Sequence, residues 1–367
     1  MLSRAKALYH AGMSDEAVVV LSQMQRQAKE AQLSELRAMA LDLLQRISDE
    51  SFEGVQKGSA KVERQFELQM CRLQIRELAV SLELAESATP SDDQQQLLAR
   101  AFALGREEDS VILIWWHLAS LKLGLKAEAI RKAYHHWLWL NHLSSKQNGL
   151  PDDLLCDIYL EGAKALIGAS QLDSAALFIR KAEALHKHVP QWTLKLLETR
   201  FVWHFLKRDY KACDDLLSEA LAQPEIKAPG QQLKWYFLEA CLHFVESDFS
   251  IASVLLTKSR EVGSQPGPYR LAYWVVTFLN QLESKKSVEA DETIHKLTDV
   301  LLSLQGSTRQ IELAFRLLTE LKALNYELEQ LSEAGRNSAM ELAGLDTTAV
   351  MIDLKGWVSQ QLNSPSQ

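Results

Sequence analysis

The chain has 367 residues with a net charge of −8; 47% of them are apolar and 24% charged, and it carries eight prolines and 15 glycines. This is the make-up of an ordered protein, and an acidic balance without a long basic stripe excludes a nucleic-acid footprint. Almost no run alternates as a strand does, so the fold class is all-α.

In chain order, Ala7, Leu8, Tyr9, Gly12, Glu16 and Ala17 spell the end of one helix, a turn and the start of a second, with Ser14 as its cap. A third helix, capped by Ser34, carries Leu36, Met39, Leu43 and Ile47. Residues 58–86 predict one long helix. One stripe is Leu68, Cys71, Ile75, Leu78, Leu82 and Ala85, and Val62, Phe66, Met70 and Leu73 form a second, so the helix packs between two neighbours, with a coiled-coil seam as the competing reading. Thr89-Pro90-Ser91-Asp92-Asp93 breaks the pattern; Ser91 with Gln94 is a capping box, and Gly105 is placed at the end of the helix that follows. An aromatic hairpin comes next, with Ile112, Trp115, Trp116 and Ala119 on its first helix, a turn at Gly124, and Ala129, Ala133, Trp137 and Leu140 on its second.

After Asn148-Gly149-Leu150-Pro151 the hairpins become regular. Ala175, Cys213 and Ala252, which open successive second helices, stand 38 and 39 residues apart. A fixed period of this size means stacked helical hairpins, each unable to bury its apolar face without its neighbours. Asp173, Asp209 and Asp248 mark the turns; Pro190, Pro224, Pro229, Pro266 and Pro268 mark the joints. A less regular hairpin uses Tyr273, Trp274 and Phe278, then Val288, Ile294, Leu297 and Leu301, and is closed by Gly306 and a capping box at Ser307 and Gln310. Helices near 308–323 and 326–342 follow, then one capped by Asp346, then a polar tail from Asn363. The organisation expected is irregular hairpins over 1–150, regular repeats over 151–305 and capping helices over 306–367, as one continuous unit.

The repeats resemble the tetratricopeptide repeat. The best copy has Tyr159, Ala163, Leu166, Ala175, Ile179 and Ala182 at that family's packing positions; another has Tyr236, Ala240, Ala252, Leu256 and Ser259. The copy at 197–220 departs, with Phe201 at a usually small position and Cys213 in place of alanine, and Lys187 stands where a closing proline is usual. The period also exceeds the family's ~34 residues. The chain further looks like uncharacterised repeat proteins of Bacteroidetes-type bacteria, which adds no function. The resemblance implies a right-handed superhelical α-solenoid of antiparallel helix pairs, whose concave face holds a peptide or a partner helix.

In the family's register that face would carry Leu118, Lys164, Ile167, Val202, Phe205, Phe237 and Phe244, with Lys234 beside them. A wall so apolar suits an amphipathic helix lying in a groove, and it equally suits a wall covered by the protein's own helices. Trp137 and Trp139, with Trp115, Trp116 and Tyr134, either fill a gap between helices or anchor a partner. The function expected is a protein–protein scaffold or adaptor. The alternative is a signalling-peptide receptor whose curvature changes on binding.

No cofactor, metal, nucleic acid or membrane is expected as a partner. His135 and His142 share a helix face, yet lie about 10 Å apart, too far for one ion without other ligands. Neither a nucleophile elbow nor a phosphate loop occurs, so no enzyme is expected. Cys71, Cys156, Cys213 and Cys241 are widely spaced in apolar helical contexts, which fits buried thiols in a reducing, cytoplasmic setting. Met1 to Lys6 lack the apolar core of a leader, and no window reaches the ~18 uncharged apolar residues of a membrane helix.

Overall fold

The computed structural model describes residues 1–10, 14–30, 40–41, 43–44, 59–82, 90–127, 129–264, 269–303, 319–320, 323, 332–344 and 357. The described residues form sixteen α-helices and no strand. Expectations at Ser34, Thr89, Pro266, Pro268, Gly306, Ser307, Gln310 and Asp346 lie outside them.

The chain divides into two compact units, Met1–Met70 and Cys71–Gln367. In the first, α1 (Leu2–His10) pairs with α2 (Ser14–Glu30) around Ala5, Ala17, Leu21 and Met24, together with Ala40 and Leu43. The unit boundary falls within α3 (Ser59–Ser81), whose Leu68, Cys71, Ile75 and Leu78 are buried at the spacing the sequence predicted.

In the second unit α4 (Asp92–Glu107) leads into hairpins packed in neighbouring pairs. The pairs are α5 (Ser110–Lys126) with α6 (Ile130–Lys146), α7 (Asp152–Gly168) with α8 (Leu172–His186), and α9 (Thr193–Leu206) with α10 (Tyr210–Leu221). Next come α11 (Pro229–Val245) with α12 (Phe249–Lys258), the short α13 (Arg260–Ser264), and α14 (Arg270–Glu283) with α15 (Ser287–Ser303). The last described helix is α16 (Glu333–Gly344). First helices also touch the next first helix, as α5 does α7 and α7 does α9.

Four hairpins turn in the same way. Ser170, Arg208, Ser247 and Lys285 take left-handed backbone angles (φ 55 to 65°), 38, 39 and 38 residues apart. At each, the residue's own N–H bonds a carbonyl three residues back, and the next N–H bonds one five back, as in Ser247 to Phe244 and Asp248 to His243. This is the Schellman closure, which satisfies the carbonyls a helix end leaves without partners. Asp209 and Asp248 then cap the second helices by accepting from the N–H of Ala212 and Ile251. Asp173 instead lies inside the first turn of α8 and pairs with Lys207.

Two glycines expected to end helices do something else. Gly105 and Gly124 are buried within α4 and α5, which run on to Glu107 and Lys126. A Cβ at Gly105 would lie 2.8 Å from the Leu113 backbone nitrogen, and one at Gly124 3.1 Å from that of Ala133. Their role is close approach of antiparallel helices; the true turn glycine is Gly149, at φ 77°. The capping box at Ser91 and Gln94 is formed in both directions. Val288, expected in the core of its hairpin, is 72% exposed, whereas Ile294 and Leu297 are buried.

Candidate functional site

The first helices are apolar around nearly their whole circumference, and a helix of that kind is buried. In α7 almost every residue from Leu154 to Gly168 is buried. The expected concave wall shares this fate. Leu118, Ile167, Phe205, Phe237 and Phe244 are core residues, at most 4% exposed, and Val202 is half-buried between two clusters. The chain's own helices cover them, so they offer a partner no surface.

Charged groups cross this interior. Lys122 on α5 donates to Asp157 on α7 at 2.8 Å and to the Ala79 carbonyl at 3.1 Å. Lys195 on α9 reaches the other Asp157 oxygen at 2.8 Å and Glu161 at 2.5 Å. One repeat on, Glu198 accepts from Lys234 of α11 at 2.6 Å and from the Tyr269 hydroxyl at 2.8 Å. Burial pushes the Glu198 carboxyl up, but the charges of Lys164 and Lys234 and these two hydrogen bonds outweigh it and hold it at about 2. Tyr269 is driven well above its usual range by burial and by the Glu198 charge. Lys164 and Lys234, expected at the concave face, therefore serve Glu198.

These groups bind one another from helix to helix and present no nucleophile to solvent. The thiols are equally withdrawn: burial raises Cys156 to about 11 and Cys213 to about 12. Among the described residues no group of three or more His, Cys, Asp or Glu could hold a metal ion, and no helix is long and apolar enough to cross a membrane.

The tryptophan cluster is split between inside and outside. Trp137 is buried edge-on against Phe178, with ring centroids 4.5 Å apart, over Gly162, where a Cβ would come within 2.3 Å of the indole. Trp115 lies under the Arg76 guanidinium at 5.8 Å. Trp139 and its neighbour Leu138 are 48% and 49% exposed. Trp116, half-buried, packs on Phe102 of α4 at 4.7 Å and on His136 at 5.1 Å, and Trp139 stacks on His117 at 6.3 Å.

Beneath these rings the Nδ1 atoms of His117 and His136 are 3.1 Å apart, so one ring donates its N–H to the lone pair of the other. Burial, and then their mutual repulsion and that of His135, lower His117 to about 3; burial and His135 lower His136 to about 4. Both are uncharged at neutral pH. Nothing in the spacing joins His117 to the histidines of α6; their meeting depends on the α5–α6 register.

Of the residues expected to bind a partner, only Trp139 stands on open surface. Leu138 beside it was missed, although Arg131, His135, Leu138, Trp139, His142 and Lys146 repeat at helical spacing on one face. No protein-family model matches the chain, and no curated protein is significantly similar to it.

Proposed function

We propose that the protein is a partner-binding scaffold, that its hairpins wind as a right-handed solenoid of the tetratricopeptide kind, and that the partner docks on the outer face of α6 and its neighbours rather than on a concave wall. One observation supports this above all. Trp139 and Leu138 stand side by side in solvent on a helix that Trp137, on its other side, anchors in the core. Tryptophan exposed on a rigid support loses little entropy on binding and brings a large apolar area, which is why it concentrates at the energetic centres of interfaces. Phe102, 40% exposed, and Trp116 extend the surface onto α4 and α5.

The four buried thiols fit a cytoplasmic protein, and the scaffold requires no cofactor, nucleic acid or membrane. Affinity capture from native extract tests the docking face. Leu138→Glu with Trp139→Glu should abolish a specific partner, while Leu177→Glu, at an exposed leucine of α8, should retain it. Equal capture by both variants, each with wild-type circular dichroism, would refute the assignment.

A further inference from the structure

We infer that the α6 face receives an acidic amphipathic helix of a partner protein, its apolar side chains seated on Trp139 and Leu138 and its carboxylates on the cations at either end. The inference rests on the docking face proposed above and specifies its ligand.

The exposed residues of α6 fall on one stripe: Arg131 and Lys132, then His135, then Leu138 and Trp139, then His142, then Ser145 and Lys146. Neither α5 nor α6 contains an aspartate or glutamate. Between Asp109 and Asp152 the sequence has five lysines and arginines and one carboxylate, Glu128, in a chain whose net charge is −8. Of the other second helices, α8, α10 and α15 mix acids with their bases, while α12, also without an acid, carries a single cation, Lys258.

The order along the stripe selects the occupant. Arg131 and Lys146 are fifteen residues apart, about 22 Å along the axis, with the apolar pair between them. A helix of similar length with acids at both ends and leucine-like residues between them matches this order, by the i, i+3, i+4, i+7 anchoring of helix-in-groove recognition. Charge complementarity then steers the encounter and sets its register. A nucleic-acid strand would lay phosphates across Leu138, where nothing neutralises them. A lipid surface calls for a broad apolar face, and this stripe has two large apolar side chains.

The test is selection of a displayed library of random fifteen-residue peptides on the immobilised full chain. Enriched sequences should carry aspartate or glutamate on both sides of leucine, phenylalanine or tryptophan. A synthesised representative should weaken about 30-fold with Trp139→Ala, about 10-fold with Arg131→Glu plus Lys146→Glu, and further as salt rises. Enriched peptides without an acid excess, or insensitive to the charge reversals but sensitive to Trp139→Ala, overturn the acidic ligand and leave the docking face standing. Enrichment unaffected by Trp139→Ala, or none at all, overturns both. Trp139-dependent binding of phosphatidylserine vesicles or of single-stranded RNA, or Trp139-dependent dimerisation in light scattering, in place of peptide binding also overturns the inference.

Discussion

Replacing Asp157 with alanine removes the one carboxylate that Lys122 and Lys195 grip from opposite sides, each at 2.8 Å. All three groups are nearly excluded from water, so the ammoniums left behind cannot recover their hydration without opening the helices. Lys195 keeps Glu161 at 2.5 Å, and Lys122 keeps the Ala79 carbonyl at 3.1 Å among its contacts. Breaking a buried pair from one side costs about 3–5 kcal/mol, and Asp157→Ala should fall in that range. Lys122→Met leaves Asp157 paired with Lys195 and should cost about 1–3 kcal/mol. The double variant strands no charge at Lys122, so it should lose less than the two single losses added, with a coupling energy of about 1–3 kcal/mol. Urea denaturation followed by far-UV circular dichroism measures the cycle, and hydrogen exchange in α5, α7 and α9 localises it, since repeat arrays need not unfold as one unit. An Asp157→Ala variant within about 0.5 kcal/mol of wild type, or additive losses in the double variant, would refute the idea that these charges hold successive first helices in register.

Gly162→Ala gains about 1 kcal/mol of helix propensity but drives a methyl into the buried Trp137 ring, an overpacking worth about 1–3 kcal/mol. The net result should be a less stable protein with altered tryptophan fluorescence, while Gly230→Ala, with nothing within 4 Å, should be neutral or stabilising. Ser247→Gly relieves a side chain held at φ 65° and should raise stability by about 0.5–1 kcal/mol in the same urea assay. His117 and His136 are lowered to about 3 and 4 in the folded chain against 6.5 unfolded. The unfolded chain therefore binds more protons between those values, and stability should fall as pH drops from 7 towards 4. His136→Gln should flatten that slope above pH 5; an unchanged slope would mean the pair stays neutral for no thermodynamic reason.

The hairpin period was readable because small residues at Ala175, Cys213 and Ala252 are forced wherever two helices meet closely. The turns obey it too, at Ser170, Arg208, Ser247 and Lys285, but no residue type announces it there: serine, arginine and lysine are poor markers of a left-handed backbone. Caps were readable at Ser91, Asp209 and Asp248, where chemistry and position coincide. Glycine was ambiguous, since a helix end and a close helix crossing both demand it, and Gly105 and Gly124 belong to the second case. The unit boundary at Met70 carried no punctuation, falling inside one helical stripe. The larger miss concerned the first helices. A run such as Val111 to Trp116 has no polar face, which signals burial on every side; assigning it a concave wall borrowed the resemblance's geometry against the local pattern. Lysines at 122, 164, 195 and 234 read alone as solvent-reaching chains. Their partners lie roughly one repeat away, at a distance that only the stacking of first helices spans.

That packing bears directly on where a partner can bind. Because the first helices pack against their own second helices and against one another, their side chains, including the charged ones, are committed to the stack. Among the described hairpins, what the stack leaves exposed is the outer face of the second helices. On most of them mixed charges favour solvation, and exposed apolar residues such as Leu177 stand among ions. On α6, a helix without an acid, the same positions hold an indole and a leucine between cations. Within the protein Trp139 is supported by stacking on His117 and by an edge contact with His142, and the His117 ring remains an uncharged platform only while the histidine pair beneath stays unprotonated. Because both rings stay uncharged in the folded chain until the pH nears 4, docking should not weaken between pH 7 and pH 5. Peptide affinity measured at pH 7 and pH 5, with helicity monitored in parallel, checks this. A loss of affinity across that range with helicity unchanged would refute a histidine pair that stays neutral beneath the docking face.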